Sequence, residues 1–67
     1  MKKRIGILIA GNFYVYTAYR ITDAKGKDFY IAEPRGTGAT RGADTLEELQ
    51  QIIDNDVKML NYIARQR

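Results

Sequence analysis

The chain contains no cysteine, histidine, serine or tryptophan, and only one proline. Without cysteine it has neither disulfides nor thiolate metal ligands to hold a small core together. Without histidine it lacks the commonest general base and the usual zinc ligand, and the missing cysteine and serine remove the two commonest side-chain nucleophiles. Asp, Glu, Lys and Tyr remain, but no pair of them stands in the spacing of a catalytic motif. The sequence therefore predicts a non-enzymatic protein with no metal and no cofactor.

Long apolar runs are also missing. Met1-Lys2-Lys3-Arg4 followed by Ile5–Ala10 has the order of a secretory leader, but the apolar stretch falls short of the ~7–15 residues and the small-residue cleavage site that a leader needs. It is far below the ~20 residues that cross a bilayer. The expectation is a soluble, cytoplasmic protein.

What is present is the composition of a folded chain: 67 residues, 45% hydrophobic and 28% charged. That length predicts one domain over residues 1–67, with a thin core. The net charge of +3 and a pI near 9.4 lean towards an anionic partner.

The periodicity changes once, near Asp44. Before it, residues 4–9, 13–22 and 28–32 are rich in Ile, Val, Tyr, Phe and Thr and are separated by Gly-Asn and Asp-Ala-Lys-Gly. This predicts a three-stranded antiparallel meander. Opposed residues of antiparallel strands share a face, so turn length decides the grouping. With three-residue turns, Asn12 and Gly26 take the left-handed positions. One face then gathers Ile5, Ile7, Ile9, Phe13, Val15, Thr17, Tyr19, Ile21, Phe29 and Ile31. The other gathers Arg4, Gly6, Leu8, Tyr14, Tyr16, Ala18, Arg20, Thr22, Asp28, Tyr30 and Ala32.

From Thr45 onward, Leu46, Leu49, Ile52, Ile53, Val57, Leu60 and Ile63 recur at helical spacing and predict a helix to about residue 65. Asp44 with Glu47, and Thr45 with Glu48, both fit a capping box. Asp54-Asn55-Asp56 is the weakest helical stretch and a candidate kink. A ten-residue strand and a helix of about twenty residues both span roughly 30 Å. The helix is therefore expected along the isoleucine face, giving an α+β fold of β-β-β-α order in two layers.

A single helix covers one face, which leaves the other for a partner. On this reading that face carries Tyr14, Tyr16 and Tyr30, three of the five tyrosines, together with Arg4, Arg20 and Leu8. Aromatic rings and guanidinium groups stack on bases and hold phosphates, and they also anchor protein interfaces. Strand propensity alone also accounts for tyrosines there. A second candidate is the segment Pro34–Ala43. Its glycines, with Arg35 and Arg41, lead into a helix N-terminus and make it either an anion clamp or a flexible connector. It lacks the Gly-Lys-Ser/Thr ending of a nucleotide-hydrolysing loop. A third is the pair Met59 and Tyr62, off the main helical stripe, a possible dimer contact.

The segments Gly11-Asn12-Phe13-Tyr14-Val15-Tyr16, Asp23-Ala24-Lys25-Gly26-Lys27-Asp28-Phe29 and Thr45-Leu46-Glu47-Glu48-Leu49 together resemble the arm-type DNA-binding domain of phage tyrosine integrases over residues 11 to about 53. That resemblance implies a sheet set in the DNA major groove through Tyr14, Tyr16, Arg20 and Tyr30. The chain differs in having a strand before Gly11, a longer loop before the helix and no catalytic domain behind it. Those differences also fit a small phage or plasmid protein that inhibits a host factor. The leading expectation is a nucleic-acid-binding accessory module of a mobile element, DNA favoured, with Arg35 and Arg41 on the backbone. The alternative is a protein-protein module, a homodimer or a host-factor inhibitor, using the same face.

Overall fold

The computed structural model describes residues 2–11, 14–36 and 38–65, with side chains described as far as Leu60. Its elements are β1 (Lys2–Ala10), β2 (Tyr14–Thr22), β3 (Asp28–Pro34), β4 (Arg41–Ala43) and α1 (Leu46–Arg65). The class is α+β, with an antiparallel sheet and one C-terminal helix. The sheet has four strands in the order β1-β2-β3-β4, not three. The added strand comes from the segment expected to be a loop. Its three residues pair as Tyr30 with Ala43, Ile31 with Gly42 and Ala32 with Arg41.

The turns preserve the expected parity. Ala10 lies opposite Tyr14, Leu8 opposite Tyr16 and Ile9 opposite Val15, while Arg20 faces Tyr30 and Ile21 faces Phe29. Gly11 (φ 62°) and Gly26 (φ 82°) are left-handed; Asn12 and Phe13 lie outside the described residues. In the second turn the Asp23 carboxylate accepts the amides of Lys25 and Lys27, each at 2.9 Å. A bulge between Arg4 and Gly6 shifts the first strand by one residue, and Gly6 sits at φ 150°, where a side chain is strained. Arg4 therefore pairs with Tyr19 and moves to the isoleucine face, away from Tyr14, Tyr16 and Tyr30.

The helix packs on the face opposite to the one expected. The buried hydrophobic residues are Ala10, Tyr16, Ala18, Ala32, Leu49, Ile53 and Val57. Leu8, Tyr14, Tyr30 and Ala43 pack against this cluster. Leu49, Ile53 and Val57 follow one another at four-residue spacing and form a ridge. Ala10 of β1 and Ala32 of β3 form a low floor on which that ridge rests close to the sheet, with Tyr16 of β2 buried in the same cluster and Tyr14 and Tyr30 packed at its margin. Isoleucines in place of that floor would hold the helix further out. Hydrophobicity alone favours the isoleucine face, but the fit between ridge and floor favours the other.

The longest dimension of the molecule is 47 Å. A nine-residue strand and a twenty-residue helix each span only ~30 Å, so the layers overlap by about 13 Å, close to the two turns from Leu49 to Val57. The helix runs past the β1–β2 turn at one end, and the sheet runs past the helix start at the other. Thr45 caps the helix, its hydroxyl accepting the Glu48 amide at 3.1 Å. The helix is unbroken through Asp54-Asn55-Asp56.

Candidate functional site

Of the tyrosine and arginine residues proposed as a platform, Tyr14, Tyr16, Tyr30 and Arg20 share the helix-bearing face of the sheet, and Arg4 lies on the other. Tyr16 is 5% exposed, beneath the helix, and Tyr14 and Tyr30 are half-buried against the same cluster. These rings are walls of the core, because phenol side chains bury large apolar surfaces while keeping the hydroxyl near an edge. Burial is the first cause that pushes the Tyr16 phenol above its usual 10.0, with the nearby Asp56 carboxylate acting in the same direction.

Among the described residues, two polar links tie the helix to the sheet. Arg41 donates from Nε to Asp56 Oδ2 at 2.6 Å and from Nη2 to Asp56 Oδ1 at 2.8 Å, a two-pronged contact. The hydrogen bond with Arg41 holds the Asp56 carboxyl below its usual 3.8. Gln50 Nε2 donates to the Ile9 carbonyl and to Asp54 Oδ1, both at 3.0 Å. Arg41, expected on a phosphate, is thus spent on joining β4 to α1. Arg35 is exposed, and its amide donates to the Val15 carbonyl at 3.1 Å. Beside the Arg41–Asp56 pair a cleft of about 390 Å³ opens between Tyr16, Gly38, Ala39 and Leu60. Met59 also lines it, 65% exposed, while the side chain of its expected dimer-contact mate Tyr62 lies outside the described residues.

Arg20 remains on the helix-bearing face, at the end that the helix does not reach. It lines an open hollow of about 540 Å³ with Lys3, Thr22, Asp23 and Ala24. Arg4 is exposed on the opposite side.

That opposite side is the surface that hydrophobicity ranking placed in the core. Ile7 is 48% and Ile9 54% exposed, and Ile5, the extra residue of the bulge, is 39% exposed. Register places half-buried Val15, Thr17, Tyr19, Ile21, Phe29 and Ile31 alongside Ile7 and Ile9. The Lys2 ammonium stands 4.2 Å from the centroid of the Tyr19 ring and reaches Glu33 Oε1 at 3.4 Å, so that Lys2 and Glu33, with exposed Arg4, are charged groups on a mainly apolar surface.

Among the described residues no group of three or more acidic side chains is placed to hold a metal ion, and no helix is long and apolar enough to cross a membrane. No family model, curated protein or solved structure matches the chain.

Proposed function

We propose that this chain is a protein-interaction module whose working surface is the open aliphatic face of the sheet. The observation that carries this reading is the exposure of Ile7 and Ile9, with Ile5 exposed at the adjoining bulge, on a layer of half-buried, mainly apolar neighbours over which no described element packs. Scattered exposed isoleucines are ordinary, but a contiguous aliphatic face in a folded chain marks a surface that meets another macromolecule. The surface is preformed on a hydrogen-bonded sheet, so little ordering entropy opposes docking.

In the purified chain this face is either bare, and takes up an apolar reporter dye, or covered, and the chain sediments above its monomer mass. Ile9→Lys removes whichever is observed while leaving the circular dichroism unchanged, because Ile9 lies outside the chain's own core. A monomer that takes up no dye overturns the reading.

A second reading, nucleic-acid binding, retains one specific support: Lys3 and Arg20 line the hollow at the uncovered end of the sheet. It predicts a complex that weakens steeply with salt and is lost on Arg20→Ala. A mobility-shift series in which that complex forms and Ile9→Lys leaves it intact would favour nucleic acid over protein.

A further inference from the structure

We infer that the occupant of the open face is a second copy of the same chain, packed sheet on sheet to give a four-layer α/β/β/α assembly. This rests on the interaction reading above and names its partner.

The chain's own core is the first argument. Among the described residues, the buried side chains larger than alanine are Tyr16, Leu49, Ile53 and Val57. Many domains of this size fold alone, but a core this small leaves little margin, and disulfides, a metal, unusually tight packing or self-association are the means that add to it. Cysteine is absent, and the described residues group no metal ligands. Self-association would bury the larger aliphatic set that the fold leaves outside.

Area and geometry agree. Nine-residue strands give a face roughly 30 by 15 Å, a planar footprint of about 450 Å² per copy, and side-chain relief brings the pair past the ~1,000 Å² that a specific interface needs. The edge of β1 is a poorer site for pairing. It carries the Gly6 bulge and the cations Lys2, Lys3 and Arg4, features that oppose strand addition.

Charge supplies the third argument. A twofold interface requires a surface complementary to itself. Lys2 and Glu33 lie 3.4 Å apart, with Lys2 over Tyr19 on this face. A twofold axis lying in the interface between them presents Lys2 of each copy to Glu33 of the other, a ring of alternating sign, while Arg4, exposed on the edge strand of this face, sits at the rim.

Sedimentation equilibrium on the full chain over a concentration series tests the inference. The expected result is a species of twice the 7.7 kDa chain mass. Ile7→Lys should raise its dissociation constant by about a hundredfold or more, because a charge would be buried without a partner. Met59→Lys, on the helix tail, should leave it unchanged. Lys2→Glu should weaken the dimer, and adding Glu33→Lys should restore it, which keeps the test valid if Ile7→Lys fails to fold. A dimer that survives Ile7→Lys, or one abolished by Met59→Lys alone, overturns the inference. A monomer whose dye binding is lost in Ile7→Lys also overturns the second copy but leaves the interaction reading standing. A monomer that binds no dye overturns both.

Discussion

Gly11→Ala probes the contact between the first turn and the helix, and its cost can be worked out from the geometry. Gly11 sits at φ 62°, and a Cβ built on it would lie 3.0 Å from Val57 Cγ1. A left-handed alanine costs ~1–2 kcal/mol. Pushing a methyl against a buried valine adds ~1–3 kcal/mol, because the packed core relaxes only in part. Together the substitution should cost roughly 2–5 kcal/mol, a large share of the ~3–10 kcal/mol expected for a chain of this length. Val57→Ala alone loses about 2 kcal/mol of burial. The double variant should be more stable than the sum of the two predicts, by about 1–2 kcal/mol, since removing Cγ1 relieves the crowding. Urea unfolding followed by circular dichroism reads all four corners of the cycle. Every arm needs the same protein concentration, because self-association makes apparent stability depend on it. Additivity to within ~0.5 kcal/mol would refute the proposed packing of Val57 on the β1–β2 turn.

Three further perturbations test other contacts. Asp56 has a folded pKa depressed by Arg41, so its stabilising contribution is present above 3.8 and is lost as pH falls through the lower folded value. Asp56→Asn should flatten the acid limb of the stability profile, and an unchanged limb would count against the pairing. Tyr16 has a raised pKa, so its contribution is intact below 10.0 and is lost as pH rises through the folded value. Tyr16→Phe should remove that part of the alkaline limb, and a spectrophotometric titration in which all tyrosines ionise together would argue against its burial. Thr45→Ala deletes the hydroxyl that accepts the Glu48 amide and should cost about 1 kcal/mol in unfolding free energy; no measurable loss would mean that another residue caps the helix.

Much of the fold is legible in the residues themselves. Alternation along the strands, with the parity of the turns, correctly separates Ile7, Ile9, Val15, Ile21, Phe29 and Ile31 from Leu8, Tyr14, Tyr16, Ala18, Tyr30 and Ala32. Helical spacing gives a stripe that includes the buried ridge of Leu49, Ile53 and Val57, although Leu46 and Leu60 of the same stripe are exposed. The assignment of the helix to a face is not legible from hydrophobicity. Isoleucine outranks tyrosine and alanine on any transfer scale, yet Ala10 and Ala32 make the low surface that a helical ridge approaches closely. The alanines on the tyrosine face were the available signal. Arg41-Gly42-Ala43 has no β-branched or aromatic residue, so nothing in it announces a strand; pairing with β3 supplies what propensity does not. The Arg41–Asp56 pair is invisible for the same reason, since it depends on β4 bringing Arg41 beneath the middle of the helix. Arg4 changes face because Gly6 admits a bulge, a one-residue shift that alternation cannot anticipate.

The most direct test of the whole account is a set of nuclear Overhauser contacts from the helix methyl groups of Leu49, Ile53 and Val57. The account predicts cross-peaks from these methyls to the ring of Tyr16 and to the methyls of Ala10 and Ala32, with none to the side chains of Ile7, Ile9 or Ile31 within one protomer. Intramolecular contacts between the helix methyls and that isoleucine row would contradict it, and the open aliphatic face would no longer exist.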